Sequence, residues 1–400
     1  MVYDLIAVGG GAAGFFTAIQ YAERLPDKQV LILESSNKLL SKVAISGGGR
    51  CNVTHACFDP KEMVGYYPRG DKELLGPFHK FLCGDMMAWL DERGVEVKIE
   101  DDGRVFPVSD NSQTIIDLFL GLCEKYNIRI LTTHRVEHLE SARSLWSVKT
   151  NHDKYSARQV MWATGSSPAA WKLLERMGHR IVPPVPSLFT FNIPDKDLKK
   201  LAGISVSNAS VMVDEMRMEE TGPLLITHWG MSGPAILKLS SRGARLLHTI
   251  NYRFDILVNW TGVTRKEADG WIIAKRQSDG GKQVVNTLPE GIPKRLWGFL
   301  VKRAGVEDRK WGELTKDQIG SLALEMVESR FQVDGKSTFK EEFVTAGGVD
   351  TIEVNFTTME SRKFNGLYLA GEVLNIDALT GGFNFQAAWT EAYIAAQSMT

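Results

Sequence analysis

Gly9, Gly11 and Gly14 stand at the spacing G-x-G-x-x-G, and Glu34 follows Gly14 by twenty residues. In this register Gly9 permits a tight turn, Gly11 lets backbone approach a pyrophosphate, and Gly14 lets the following helix pack closely on the preceding strand. The first helical amides, at Ala12 and Ala13, then receive the phosphate charge. A carboxylate at Glu34 can accept hydrogen bonds from both ribose hydroxyls and would repel a 2′-phosphate. The chemistry offered is recognition of a dinucleotide.

Three later segments favour FAD over NAD. Lys42-Val43-Ala44-Ile45-Ser46-Gly47-Gly48-Gly49-Arg50-Cys51-Asn52 is a glycine-rich loop with amide donors at Gly48 and Gly49, a polar side chain at Asn52 and cations at Lys42 and Arg50, suited to a bulky anionic cofactor. Ala163-Thr164-Gly165 ends an apolar strand where a flavoprotein chain returns beside its cofactor. Gly371-Glu372 ends another, and Thr380-Gly381-Gly382-Phe383-Asn384 opens an Ala-rich helix. Glu372 can bond ribityl hydroxyls, while the amides of Gly382, Phe383 and Asn384 suit the flavin N1/O2 edge, where negative charge gathers on reduction.

Flavin chemistry asks little else of the protein than a held substrate carbon and a proton donor or acceptor. His228 and Cys51 are the candidates. His228, beside Gly230, has the near-neutral reference pKa of an acid–base group, or is a structural histidine in a tight turn. Cys51 can face the isoalloxazine ring with Arg50 favouring its thiolate, or can simply pack. His134 and His138 share an i,i+4 spacing in a segment that reads as strand, so no metal site is expected.

The elements that must position these groups read as an α/β fold. Leu5–Val8 is a short apolar run of the kind buried on both faces, Phe15–Leu25 a helix, and Gln29–Leu33 the next strand. Cofactor segments at both ends predict a Rossmann-like FAD-binding domain from residues 1–187 and 345–400. Strand-length apolar runs predict an inserted β-rich, barrel-like domain at 188–262 and 331–344, and 263–330 reads as a helical subdomain. The insertion holds no second G-x-G-x-x-G between strand and helix. NAD(P)H can still visit as a transient reductant.

Composition narrows the classes. The 400 residues are 44% hydrophobic and 24% charged, with 47 Lys and Arg against 48 Asp and Glu. This balance gives no overall field to attract nucleic acid or an anionic membrane, so neither partner is expected. No apolar run approaches the roughly 20 residues of a membrane span. Four cysteines without a CxxC and the absence of a signal-peptide pattern suggest a cytoplasmic protein, of undetermined oligomeric state.

Together the motifs resemble the BaiN-like family of bacterial FAD-dependent oxidoreductases, a three-domain group of the glutathione-reductase-type superfamily. The resemblance spans nearly the whole chain and rests most specifically on Ser46-Gly47-Gly48-Gly49-Arg50-Cys51-Asn52 and on Thr227-His228-Trp229-Gly230-Met231-Ser232-Gly233-Pro234. It implies non-covalent FAD, hydride transfer at flavin N5, a small organic substrate between the nucleotide and inserted domains, and backbone contacts from Val136 to adenine. Asn375, Ala378 and Phe383 depart from the family's common Asp, Gly and Tyr. The alternative is a flavin-stabilised binding or RNA-modifying protein.

Overall fold

The computed structural model describes residues 2–142, 145–337 and 344–400. Part of the β-rich segment expected at 331–344, residues 338–343, lies outside them. The chain forms two compact units, Met1–Val185 with Lys340–Thr400, and Pro186–Phe339.

In the first unit five parallel strands lie side by side in the order Leu367–Leu369, Lys154–Trp162, Val2–Val8, Val30–Leu33, Arg129–Leu131. Leu5 to Val8 and Val30 to Leu33 are buried throughout, as a sheet covered on both faces requires. The helix Ala12–Arg24 covers one side and packs on the C-terminal helix Phe383–Ser398. At their contact Thr17 Oγ1 donates to the carbonyl of Ala392 (3.5 Å). A hairpin of Val136–Ala142 and Leu145–Thr150 extends the sheet from Lys154–Trp162. A separate three-stranded sheet joins Thr54–His55, Arg104–Pro107 and Val97–Ile99.

The second unit is an antiparallel sheet running from Ser329–Asp334 through Arg253–Asn259, Ser205–Val213, Met218–Ile226, Gly230–Ser232 and Thr190–Asn192 to Lys336–Ser337. The strands at the two ends of this path are consecutive in sequence, joined at Gly335, whose amide donates to Tyr252 O (2.9 Å) and whose carbonyl accepts from the amide of Asn192 (3.0 Å). The sheet therefore curls back towards itself. Helices Arg265–Ser278, Lys294–Arg303 and Lys316–Val327 bury Ile272, Leu296, Trp297, Leu300 and Leu322 in the same apolar core as the strands. Capping boxes at Thr264/Glu267 and Thr315/Gln318 start two of them. No helix among the described residues is long and apolar enough to cross a membrane.

Candidate functional site

The first turn of the Rossmann unit separates its glycines by task. A Cβ on Gly14 would stand 2.0 Å from Gly9 O, and one on Gly9 would stand 2.2 Å from Ala163 O, so both positions are closed by backbone. A Cβ on Gly11 would meet nothing within 4 Å. Gly11 caps the helix without any side-chain hydrogen bond, which leaves the amides of its first turn, Ala12 and Ala13 among them, as donors at the positive end of the helix dipole.

Glu34 leaves the second strand and folds back on this turn: Oε2 accepts the Gly10 amide (2.7 Å) and Oε1 the Ser36 amide (2.8 Å). The carboxylate is thereby aimed before any ligand arrives. Beside it the amide of Thr133 donates to Ser36 O (2.9 Å) and that of His134 to Glu34 O (2.8 Å), which brings the start of the Val136 strand against the same end of the sheet. Across the turn Ala163 donates to Val8 O (2.8 Å), and Thr164 Oγ1 is buried with no hydrogen-bond partner among the described residues. Gly165, at φ 61°, puts its missing Cβ 3.9 Å from Glu372 Oε2.

The Lys42–Asn52 segment is not a loop throughout. Ser41 begins a helix beside the Gly9–Gly14 turn, where the Leu40 amide donates to Gly10 O (2.8 Å), and the helical path ends at Ser46 with ψ 146°. Gly47, Gly48 and Gly49 then run left-handed at φ 59°, 71° and 86°, a backbone that side-chain-bearing residues rarely adopt. A Cβ on Gly48 would meet nothing within 4 Å, so this amide run borders open space, as at Gly11. Lys42, on the helix, pairs with Glu372.

The C-terminal helix starts at an αL Gly382 whose amide donates to Asn52 Oδ1 (3.0 Å); Asn52 Nδ2 donates to Thr54 O (3.0 Å). The expectation that the Gly382 amide points at a flavin is thus altered: Asn52 takes it, and Phe383 and Asn384 are left to supply free donors of the first turn. Asn384 folds its side chain onto Ala378, Oδ1 accepting the Ala378 amide (3.0 Å). Tyr67 Oη donates to Phe383 O (2.5 Å), and a bidentate pair of Arg69 with the fully buried Asp377 fastens the 66–70 segment to the 375–384 loop. Tyr66, Arg69, Asp377 and His55 were not singled out from sequence. Asp377 lies 308 residues from Arg69, and no spacing rule connects the four.

The HI0933-like protein Rossmann domain family matches residues 3–398. The chain belongs to the HI0933-like family. Among similar proteins, the ribosomal RNA dihydrouridine synthase of Escherichia coli K12 is 28% identical over 99% of this chain and 98% of its own, and the 3-dehydro-bile acid delta(4,6)-reductase of Clostridium scindens is 27% identical over 98% and 97%. The crystal structure of a 3-ketosteroid-delta4-(5alpha)-dehydrogenase from Rhodococcus jostii RHA1 aligns with a TM-score of 0.51 at 13% identity, over 99% of this chain and 96% of that one, and shares the fold. The BaiN-like resemblance is met, this HI0933-like chain is a flavin-dependent oxidoreductase, and its cofactor is FAD.

The site of the HI0933-like chain fits that cofactor. Gly11 and Gly48 leave open space where backbone would meet a ligand, Glu34 is pre-aimed, and Thr164 Oγ1 is an unsatisfied buried hydroxyl on the strand end between them. Gly371 donates its amide to Glu391 Oε2 (2.6 Å), which places the Gly371-Glu372 turn over a buried carboxyl.

The acid–base and nucleophile candidates fare differently. The Arg50 guanidinium donates to Glu100 Oε1 (2.6 Å) and stacks 3.9 Å over Phe106, beside Arg104, rather than facing the Cys51 sulfur. Cys51 is fully buried, and burial pushes its thiol up to about 12, against the thiolate expectation; a packed thiol is what the geometry supports. His228 sits in the second unit on a tight turn, closed by the Thr227 amide donating to Gly230 O (2.8 Å), with its side chain exposed. No group of His, Cys, Asp and Glu that could hold a metal occurs among the described residues.

Proposed function

We propose that this chain is an FAD-dependent reductase that saturates a carbon–carbon double bond conjugated to a carbonyl in a small organic substrate, with NAD(P)H as transient reductant. The carrying observation is that the two relatives above, matched over almost their whole length, are named for one transformation: dihydrouridine is uridine with its carbonyl-conjugated double bond saturated, and a delta(4,6)-reductase saturates ring double bonds. Bound FAD supplies two-electron transfer at N5. In this reading Glu34, the open turn at Gly11 and the Val136 strand hold the adenosine and pyrophosphate end. Lys42, Gly48, Gly49 and Glu372 line the middle, with Thr164 and Gly165 beside them. The start of the C-terminal helix at Phe383 and Asn384 receives the flavin's pyrimidine edge, and Asn52 steadies that start from below.

The test is anaerobic. NADH or NADPH should bleach the yellow holoprotein within the mixing time of a turnover experiment, and a cyclic enone should restore the colour with formation of the saturated ketone. Colour that neither nicotinamide removes, or that only oxygen restores, defeats the proposal and favours an oxidase.

A second reading, in which the double bond belongs to a uridine in RNA, draws on the relative's name and on one feature of the charge. The whole-chain balance conceals a split: Pro186–Phe339 holds 22 Lys and Arg against 18 Asp and Glu, the remainder 25 against 30. Restoration of flavin colour by ribosomal RNA but not by free enones selects this reading.

A further inference from the structure

We propose that His55 is a positioning residue of the flavin site: through the Gly381 carbonyl it holds the turn that opens the C-terminal helix, and it presents a titratable imidazole beside that turn. The inference rests on the placement of the flavin's pyrimidine edge at this helix start.

Four segments of the chain, at His55, Tyr66, Gly103 and Gly381, converge here. His55 Nδ1 lies 3.1 Å from Gly381 O. A carbonyl only accepts, so Nδ1 carries the proton and donates. The imidazole lies against the Phe383 ring with centroids 4.4 Å apart and planes 28° apart, and Phe383 stacks on Tyr66 at 4.1 Å and 13°. On the other edge Gly103, at φ 84°, fits only because it is glycine: a Cβ would stand 2.6 Å from His55 Nε2. The preceding residue of the same strand, Thr54, donates Oγ1–H to Gln386 Oε1 (2.6 Å) in the first turn of the helix. The imidazole is therefore clamped at both edges and on one face, while its Nε2 has no hydrogen-bond partner among the described residues.

This clamp controls more than packing, because it sits at the positive end of a 16-residue helix. Burial holds the imidazole below the ordinary histidine range; the Gly381 carbonyl and Asp102 act the other way, and Arg104 acts with burial. Asp102 and Arg104 come from the neighbouring hairpin and Tyr66 from the segment after Pro60–Val64, while the helix start brings only the Gly381 carbonyl and the Phe383 ring. At neutral pH His55 is a neutral donor. Below the ordinary histidine range, once acid overcomes the cost of burial, it becomes a cation and favours negative charge on a flavin at the helix start.

The experiment measures FAD affinity and flavin midpoint potential from about pH 4 to about pH 8 on substrate-free holoprotein, a window that extends below the ordinary histidine range because burial lowers this imidazole. His55→Phe keeps a ring but no donor: FAD binding should weaken roughly two- to tenfold, as for one lost neutral hydrogen bond, and the extra rise of potential in acid should vanish. His55→Gln should recover the affinity but not the acid rise, because an amide donates without titrating. Coincident wild-type and His55→Phe potentials over the whole range overturn the proposal, as does equal loss of flavin from both variants. Asn384→Ala separates the premise. If it moves the potential and His55→Phe does not, the role of His55 fails alone; if neither moves it, the placement fails with it. Enone turnover plays no part in these readouts, so failure of the reductase reading is seen separately.

Discussion

Lys42 and Glu372, 330 residues apart in sequence, meet as an ion pair that joins the helix after the Gly9–Gly14 turn to the end of the strand Leu367–Leu369. The pair leaves a carboxylate partly neutralised at a site meant for an anionic cofactor. Lys42→Ala should expose FAD's phosphates to an uncompensated Glu372 and weaken binding about tenfold, the scale of one charged hydrogen bond. In Lys42→Ala/Glu372→Gln the loss should shrink, since the repulsion goes too. Fluorescence titration of apoprotein measures both, and strictly additive losses would refute the coupling.

Gly14 and Gly11 make a sharper contrast. Gly14→Ala drives a methyl against the Gly9 carbonyl, where backbone cannot yield, and should destabilise by more than about 3 kcal/mol. Gly11→Ala meets open space and should melt near the wild-type temperature while losing FAD affinity. Thermal melts of apoprotein beside FAD titration check this; a wild-type FAD affinity in Gly11→Ala would place the pyrophosphate elsewhere.

Glu391, fully buried on the C-terminal helix, is pushed up to about 8 by burial, with only the Gly371 amide acting to lower it. The folded state therefore holds a proton that the unfolded chain releases near the reference value of about 4.3. Stability from this group is complete below that value and is lost as pH rises towards 8, by about 5 kcal/mol in total. Glu391→Gln should flatten the fall between those limits. Denaturant midpoints of the two proteins across that range provide the measurement, and parallel curves would show that the carboxyl is already ionised at neutrality.

All four cysteines are free and buried, and Cys51, Cys83 and Cys123 have thiols raised to about 12, 11 and 12. A thiol reagent at pH 8 should react with native protein only at the rate of opening, far more slowly than with protein in denaturant. Cys51→Ala should keep its flavin and its bleaching by nicotinamide. Loss of bleaching with flavin intact would restore Cys51 to the chemistry.

The sequence by itself determined the cofactor class, because dinucleotide recognition is local: strand, glycines, helix and acid occur within thirty-four residues, and their spacing alone brings Glu34 back to Gly10. It also determined the Rossmann unit at both chain ends, since the strand periods and the glycine-rich helix starts are visible in short windows. Side-chain roles were less legible. Arg50 beside Cys51 suggests a thiolate, but the backbone changes from right-handed at Arg50 to left-handed at Cys51, and the guanidinium goes to Glu100 and Phe106 while the sulfur goes inside. Asn52 looked like a direct cofactor ligand, yet it spends its amide on Gly382 and Thr54. Only the tertiary structure could bring His55, Tyr66 and Phe383 together, or set Arg69 on Asp377, because those contacts join separate loops over a shared helix start. Burial decides the rest: whether a carboxyl or thiol is charged depends on the water removed from around it, and that is a property of the packed chain.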